Sequence, residues 1–196
     1  MFKISPDETL RIVQELYEKK LVTYPRTDAR VLSTAVAKEI HKNIGGLKGI
    51  PWAEGFAEEV LEAGTHKKIA STRYVNDKQI TDHYAIIPTG QGLGALRSLS
   101  ERSVGVYQAV VRRFLSIFYP AAVYQKVSLV TEMSGEAFFS SFKVLVSEGY
   151  LKVAGIPKES KKKDEEAEVK ADAAFIEALK NLKKGMELPV EALQIK

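Results

Sequence analysis

The sequence predicts an α+β protein, with a mainly helical domain over residues 1–120 and a small antiparallel β-rich domain over residues 121–196. Apolar residues recur at helical spacing in the first part, most regularly from Glu101 to Phe118. After Pro120 the pattern changes to an alternation of apolar and polar residues, beginning with the run from Val127 to Met133. Because proline stops a helix and alternation is typical of strands, we place the domain boundary directly after this proline.

The helices of the first domain have recognisable starts and stops. Ser5-Pro6-Asp7-Glu8 combines a cap residue, a proline at the first helical position and a Ser-x-x-Glu capping box. A second helix is expected from Ser33 to the Gly45-Gly46 pair, and a short third helix around Trp52. For the long helix, the Ser-x-x-Glu spacing that begins at Ser98 predicts another capping box. The residues of the first helix expected to face the core are Leu10, Val13, Leu16 and Tyr17.

The second domain is predicted to contain short strands and one helix. Gly135 and Gly149 are interpreted as turns between strands. Residues 158–170 are nearly all Lys, Glu and Asp, and such a segment cannot bury enough apolar surface to order itself. We therefore predict a mobile charged loop there. The run from Phe175 to Leu182 predicts a short amphipathic helix, and residues 188–195 predict a last strand.

Composition excludes several classes of function. Of the 196 residues 45% are hydrophobic, enough for a packed core, but no apolar run reaches the roughly 18 to 20 residues of a membrane span. Cysteine is absent and the three histidines are scattered, so no disulfide or metal site is expected in this chain. The net charge of +4 permits nucleic-acid binding without demonstrating it. Because no secretory signal is recognisable, we expect the protein in the cytoplasm.

A loop is predicted between Tyr74 and Gly94, where helical periodicity fades and turn residues accumulate. Gly90, Gly92 and Gly94 would let its backbone approach a ligand closely. These glycines lack the preceding strand and the full spacing of a dinucleotide-binding motif. No nucleotide-cofactor site is therefore predicted from them.

Residues 21–28 read LVTYPRTD and place the phenol of Tyr24 two residues before the guanidinium of Arg26. A phenol, with a free pKa of about 10, is a poor nucleophile at neutral pH unless the site stabilises its anion. A phosphate under attack also gathers negative charge on its oxygens, and Arg26 could serve both needs. Pro25 fixes its own φ and biases Tyr24 toward extended geometry, so the backbone presents both side chains stiffly. This pair could carry out chemistry on a phosphodiester.

The segment resembles the nucleophile motif of the type IA DNA topoisomerases, a Tyr-x-Arg-(Ser/Thr)-Asp string that follows a helix ending in Leu-Tyr-Glu. Here that helix end is LYE at residues 16–18. A second string, TDHYAIIPT at residues 81–89, is similar to the family's His-x-Ala-Ile-x-Pro-(Thr/Ser) element. It places His83 at the histidine position and Thr89 at the end of the element. Two later segments are similar as well, so the resemblance covers most of the chain.

The resemblance implies an enzyme that breaks one DNA strand by attack of Tyr24, forms a 5′-phosphotyrosyl link, passes another strand through the gap and reseals it without ATP. The catalytic residues it implies are Tyr24, Arg26 and His83. Its implied DNA-binding residues are Arg26, Thr27, Asp28, His83 and Thr89. For His83 we favour a role in positioning DNA or phosphate, while proton transfer stays open. Pro25 after the tyrosine favours the topoisomerase III branch of the family.

The resemblance also implies a fold and missing parts. Residues up to about 120 would form the nucleophile-bearing gate domain, with a winged-helix-like element, and the remainder part of the β-rich arch domain. The family's active site needs a toprim domain whose carboxylates hold Mg²⁺ in an Asp-x-Asp-x-Asp string, and this chain contains no Asp-x-Asp. We therefore expect a fragment that is inactive alone and carries no cofactor itself. Its expected partners are single-stranded DNA and the rest of its own polypeptide, toprim and a further DNA-binding domain, and no membrane.

A function of another class also fits the residues: a non-enzymatic winged-helix module that binds DNA or a partner protein. In that module Tyr24 and Arg26 would contact phosphate without reacting, and the composition fits it equally well. Loss of the hydroxyl in Tyr24→Phe would barely affect such a module but would abolish cleavage by a topoisomerase. A tyrosine recombinase would need further Arg and His residues at a spacing that the sequence lacks. Arg112 and Arg113 are interpreted as a solvated helix face rather than as phosphate contacts.

Overall fold

The structure is a computed structural model, and it describes residues 3–155, 167–169 and 173–189. The chain divides into two compact units, Met1–Ala122 with Glu148–Pro157, and Val123–Ser147 with Lys158–Lys196. The first unit is helical, whereas the second contains the β-sheet and one helix. The predicted α+β class is therefore confirmed.

The first unit is built from helices joined by loops and short 3₁₀ turns. Its helices are α1 Pro6–Glu18, α2 Thr34–Gly46, α3 Glu54–Glu62, α4 Glu101–Ser116 and the single turn α5 Leu151–Ala154. Three of them begin after a serine whose side chain accepts a hydrogen bond from the backbone N–H three residues later: Ser5, Ser33 and Ser100. The predicted starts of the first two helices are confirmed.

The predicted cap of the long helix was wrong. Ser98 ends a 3₁₀ turn, Leu93–Ser98, and its hydroxyl donates to the carbonyl oxygen of Ala95 at 2.8 Å. Ser100 caps α4 instead, in extended geometry, with its Oγ 3.1 Å from the backbone nitrogen of Ser103. Ser98 belongs to the preceding 3₁₀ turn, whereas Ser100 directly precedes the first residue of α4 and so places its hydroxyl oxygen where it accepts from the backbone N–H three residues later. The sequence spacing does not reveal which serine stands at that position.

The core of this unit is formed mainly by α1, α2 and α4. In α1, Ile12, Val13 and Leu16 are buried, but Leu10 and Tyr17 are 46% and 38% exposed. The prediction that these two residues face the core was wrong. The three buried positions span an arc of about 100° around the helix, and Leu10 and Tyr17 lie beyond its edge.

The chain returns to the helical unit after the strands. Leu151 and Val153 of α5 are buried, and the side chain of Arg112 donates to the carbonyl oxygen of Val153 at 2.7 Å. The guanidinium of Arg112 also lies 4.7 Å from the ring centroid of Trp52. The expectation of a solvated face was therefore wrong for Arg112, whereas Arg113 is exposed.

The second unit contains an antiparallel hairpin of β1 Val123–Met133 and β2 Glu136–Ser147. Its turn, Ser134-Gly135, has positive φ at both residues, the geometry that matches the twist of the flanking strands. A short third strand, β3 Ala167–Val169, pairs in parallel with β2, and α6 Ala173–Asn181 follows. The antiparallel pair was predicted, whereas the parallel strand was not.

Two sequence predictions fall largely beyond the described residues. Of the predicted loop 158–170, only residues 167–169 are described, and they form β3. Of the predicted strand 188–195, residues 188 and 189 are described, and neither belongs to a strand. Among the described helices, none combines the length and the apolar character that crossing a membrane requires.

Candidate active site

The two motifs found in the sequence pair with each other in space. α1 ends at Glu18, and Lys20 adopts a left-handed conformation with a φ of 62° that turns the chain into residues 21–28. Thr23 then donates its backbone N–H to the carbonyl oxygen of Ile87 at 3.0 Å, and Val22 forms an antiparallel bridge with Pro88. The segment of Tyr24 and the segment of His83 therefore form one short two-stranded element.

The side chain of Thr23 also hydrogen-bonds across this element. Its Oγ1 donates to the carbonyl oxygen of Ala85 at 3.3 Å and accepts from the backbone nitrogen of Ile87 at 3.0 Å. Val22, just before it, is buried, whereas the Thr23 side chain is half-buried. No local pattern indicated this role, because Thr23 bonds residues more than sixty positions away.

Tyr24 lies between two aromatic rings. Its centroid is 4.3 Å from that of His83 with the planes tilted by 41°, and 5.4 Å from that of Tyr17 in an edge-on arrangement. Pro25, the next residue, is buried, while Tyr24 is half-buried and His83 is exposed. The phenol is thus held against two ring neighbours and still reaches the surface.

Tyr17 is a site residue that sequence reasoning missed. We interpreted it as a core residue, but it is exposed and its ring lies against Tyr24. Its position in the last turn of α1 was visible in the sequence, as was its place in the string LYE at residues 16–18. What the sequence could not show is that the chain reverses after Lys20 and brings residue 24 back alongside residue 17.

Thr27 connects the two motifs a second time. Its hydroxyl donates to the backbone carbonyl oxygen of His83 at 2.8 Å and accepts from the backbone nitrogen of Ala29 at 3.0 Å. In this arrangement, the hydroxyl hydrogen of Thr27 is used to hold the backbone of His83. The geometry gives Thr27 a positioning contact within the site.

Thr89 closes the other end of the paired element. Its backbone N–H donates to the carbonyl oxygen of Leu21 at 3.0 Å, and its hydroxyl lies 2.5 Å from the carbonyl oxygen of Lys20. The hydroxyl oxygen also accepts from the backbone nitrogen of Gln91 at 3.0 Å. Thr89 therefore fastens the loop to the residues that follow α1.

Gly90 and Gly92 serve close backbone packing against the protein itself. They have φ of 76° and 68°. A Cβ atom at Gly92 would lie 2.2 Å from the carbonyl oxygen of Lys19, and one at Gly90 would lie 2.7 Å from that of Asn43. Asn43, in α2, also donates its side-chain amide to the carbonyl oxygen of Pro88 at 2.9 Å. The close approach that these glycines allow joins the loop to the helix ends.

Arg26 and Asp28 are the charged residues of the motif, and both are exposed. Within residues 3–155, 167–169 and 173–189, neither forms an ion pair. The guanidinium of Arg26 is therefore available for an incoming anion. The same ranges hold no group of three His, Cys, Asp or Glu side chains that could bind a metal ion.

Comparison with known proteins places this chain in a family. The family model of DNA topoisomerases matches residues 1–196. This chain belongs to the type IA DNA topoisomerase family. Relatives include the DNA topoisomerase 3 of Bacillus subtilis, 36% identical over 98% of this chain, and that of Bacillus licheniformis, 35% identical over 98% of it. The chain spans 25% of the length of each of these two topoisomerases.

A third relative, the DNA topoisomerase 3 of Bacillus cereus, is 34% identical over 78% of this chain and over 20% of its own length. The predicted family is confirmed. The individual site residues remain predictions, supported by the geometry above.

Proposed function

We propose that this chain is the nucleophile-bearing part of a type IA DNA topoisomerase that cleaves and rejoins single DNA strands. The observation that carries the proposal is the placement of Tyr24. Its phenol lies against His83 and two residues from the exposed Arg26, in an element that unites both family motifs. Family membership supports the same conclusion.

The proposed step is a transfer of a phosphodiester. The Oη atom of Tyr24 attacks the phosphorus atom, so that a tyrosine O–P bond forms while the bond from phosphorus to the 3′ oxygen breaks. The phenol gives up its proton and the departing 3′ oxygen gains one, so charge and atoms balance. Religation is the reverse reaction. Because one phosphodiester replaces another, the cycle needs no ATP.

Arg26 and His83 have distinct proposed roles. Arg26 binds the phosphate and stabilises the negative charge that gathers on its oxygens during attack, through charge-assisted hydrogen bonds. His83, whose ring centroid lies 4.3 Å from that of Tyr24, is proposed to bind DNA and position the reacting phosphate beside the phenol. Asp28 is proposed to contact DNA through its exposed position. Thr27 and Thr89 act on DNA mainly by holding the segments that carry the reacting groups.

The described residues do not offer a site for the magnesium ion that the family implies. No three His, Cys, Asp or Glu side chains come together there in a way that could hold the ion. We infer that the toprim domain of the full-length enzyme holds Mg²⁺, that a further DNA-binding domain belongs to the same polypeptide, and that this chain is inactive alone. The gate domain would then take in residues 1–120 together with the returning segment 148–157, and the rest of residues 121–196 would be part of the arch domain. The enzyme would act in the cytoplasm on single-stranded DNA.

Covalent trapping tests the proposal. The chain is combined with the toprim-containing part of a family member, Mg²⁺ and labelled single-stranded DNA, and the mixture is then denatured. We expect a protein adduct on the 5′ end of the cut strand that disappears in Tyr24→Phe. The matched control is Tyr150→Phe, which removes an exposed hydroxyl elsewhere in the helical unit and should leave the adduct in place. DNA binding without any adduct would overturn the proposal in favour of a non-enzymatic DNA-binding module.

A further inference from the structure

The helical unit contains an apolar groove of about 540 Å³ that the proposed reaction does not use. α1 and α4 form two of its walls, and the segments around Leu32 and Ile86 complete it. The apolar side chains that line it include Val13, Leu32, Ile86, Val110, Phe114 and Ile117. All of the lining residues belong to the first compact unit.

The charged residues in the groove are both arginines. Arg30 and Arg113 line it, both are exposed, and neither has an ion-pair partner in the described part of the chain. Among the described residues, no aspartate or glutamate lines the groove. The guanidinium of Arg113 lies 6.0 Å from the ring centroid of Tyr74, and that of Arg73 lies 5.2 Å from the same centroid. The groove thus offers an apolar floor, an aromatic ring and positive charge.

This combination matches the chemistry of a single-stranded nucleic acid. Such strands bind where positive charge follows their phosphates and where aromatic or apolar side chains receive their bases. A purely apolar ligand would leave Arg30 and Arg113 without an anion, and a free phosphate would leave the apolar floor uncovered. A nucleotide offers a phosphate to the two arginines and a base to the apolar floor.

The groove also adjoins the site of Tyr24. Ala85 and Ile87 line it, and the same two residues hydrogen-bond Thr23, the neighbour of Tyr24. Arg30 follows Tyr24 by only six residues. A strand that leaves the reacting phosphate therefore has a short path to the groove along the paired element.

We propose that the groove binds nucleotides of the DNA strand on the 3′ side of the phosphate attached to Tyr24. This inference rests on the proposed function, because it assigns the groove to the strand that Tyr24 holds. After cleavage, the covalent bond leaves those nucleotides on this unit, and the other end of the break is free to separate. Arg30 and Arg113 bind their phosphates, while a base packs on the apolar floor beside Tyr74. The groove then helps the unit to retain the broken strand.

The test measures the affinity for oligonucleotides of graded length. The chain is first combined with the toprim-containing part of a family member. Each oligonucleotide ends at a different number of nucleotides, from one to six, on the 3′ side of the cleaved bond. We expect affinity to rise about tenfold as the strand reaches the groove, and the double variant Arg30→Gln/Arg113→Gln to lose this gain. For the longest oligonucleotide, the slope of log affinity against log salt concentration should become shallower by about 0.7 for each phosphate that the variant no longer binds.

The matched control is Arg97→Gln, which removes an exposed arginine outside the groove. It should keep the full gain in affinity with length. Adduct formation by the wild-type chain with the shortest oligonucleotide, which does not reach the groove, is measured alongside. That result separates the two proposals, since absence of the wild-type adduct contradicts the proposed function, whereas a normal adduct with an unchanged length dependence contradicts only the groove.

Two further outcomes would overturn the assignment of the groove. If the double variant weakens short and long oligonucleotides equally, the arginines act by general attraction and not at a local site. If it leaves DNA affinity unchanged but abolishes binding of the apolar anion anilinonaphthalene sulfonate, the groove accepts a different amphipathic anion. An abasic nucleotide at the position that gives the gain should reduce affinity in the wild type and have no effect in the double variant.

Discussion

At the scale of single residues, Tyr24 is oriented by two neighbouring rings. The plane of the phenol ring is tilted by 41° from that of His83, and the ring lies edge-on to Tyr17. Edge-to-face aromatic pairs contribute about 0.5–1.5 kcal/mol beyond their buried area. Such contacts restrict the rotation of the Tyr24 side chain, and Tyr24, as the proposed nucleophile, would therefore lose less entropy on reaching the transition state.

This geometry predicts that Tyr17→Ala slows adduct formation by about two- to tenfold, the equivalent of removing one edge-to-face pair. Tyr17→Phe keeps the ring and should retain the wild-type rate. The measurement is the single-turnover cleavage rate at saturating DNA, beside DNA affinity measured on the uncleaved complex. A structural or binding role would lower affinity in Tyr17→Ala, whereas loss of positioning lowers the rate and leaves affinity nearly unchanged.

The side chain of Tyr107 places a hydroxyl group in the core of the helical unit. Its ring is buried in α4, and its hydroxyl has no hydrogen-bond partner in the described ranges. Burial raises the pKa of Tyr107 to about 12. Because the unfolded tyrosine ionises near pH 10 and the folded one does not, its contribution to stability is complete below pH 10 and is lost as the pH rises toward 12.

We predict that Tyr107→Phe is as stable as the wild type at pH 7 or more stable by about 1 kcal/mol, since it removes an unsatisfied buried hydroxyl. Between pH 10 and 12, the wild type should lose up to about 1.4 kcal/mol per pH unit relative to the variant. Urea unfolding at pH 7, 10 and 11 measures both effects. A variant that is destabilised by about 2 kcal/mol or more at pH 7 would show that the hydroxyl is bonded in the native protein.

At the scale of elements, the loop of residues 80–98 is held in place by hydrogen bonds that its sequence does not indicate. Thr89 bonds the residues that follow α1, and Asn43 of α2 bonds Pro88. Gly92 brings the loop backbone close to Lys19. The loop is thereby attached to two helices, and this attachment sets the position of His83 relative to Tyr24.

Gly92→Ala should destabilise the helical unit by about 2 kcal/mol or more. The new Cβ would meet the carbonyl oxygen of Lys19 at 2.2 Å, and the φ of 68° disfavours any residue with a side chain. Gly94→Ala is the matched control, because its Cβ meets nothing within 4 Å and its φ is not positive, so stability should change by less than about 0.5 kcal/mol. Thermal unfolding of both variants provides the comparison, and equal melting temperatures would refute the packing role of Gly92.

At the scale of the whole molecule, the helical unit is discontinuous in sequence. The hairpin leaves it after Ala122, and Glu148–Pro157 return to it. Leu151 and Val153 are buried there, and Lys152 forms an ion pair with Glu59 of α3 at 2.7 Å. A helical domain cut at residue 120 would therefore lack part of its own core.

Leu151→Ala should destabilise the helical unit by about 2–4 kcal/mol, as expected for a large buried side chain. Phe139→Ala, in the hairpin, removes a side chain that is 79% exposed and should change stability by less than about 0.5 kcal/mol. Helical circular dichroism followed during urea unfolding reports on the helical unit in both variants. Equal midpoints for the two variants would contradict the return of α5 to this core.

Much of the local structure was predictable because it depends on neighbouring residues. The caps at Ser5 and Ser33 and the hairpin turn at Gly135 follow from side chains and backbone preferences within a few positions. The α+β class follows from the change of hydrophobic period after Pro120. The motif residues Tyr24 and His83 were also recognisable, because their spacing within each string is itself the signal.

The sequence by itself determined the helices other than α5, the hairpin, the family and the identities of the candidate catalytic residues. Only the tertiary structure decided that Tyr17 lies against Tyr24, that Thr23 and Thr27 bond the His83 segment, and that α5 completes the helical core. The physical reason is the separation along the chain. Local periodicity and capping act over a few residues, whereas these contacts join residues that meet only after the chain has reversed and packed.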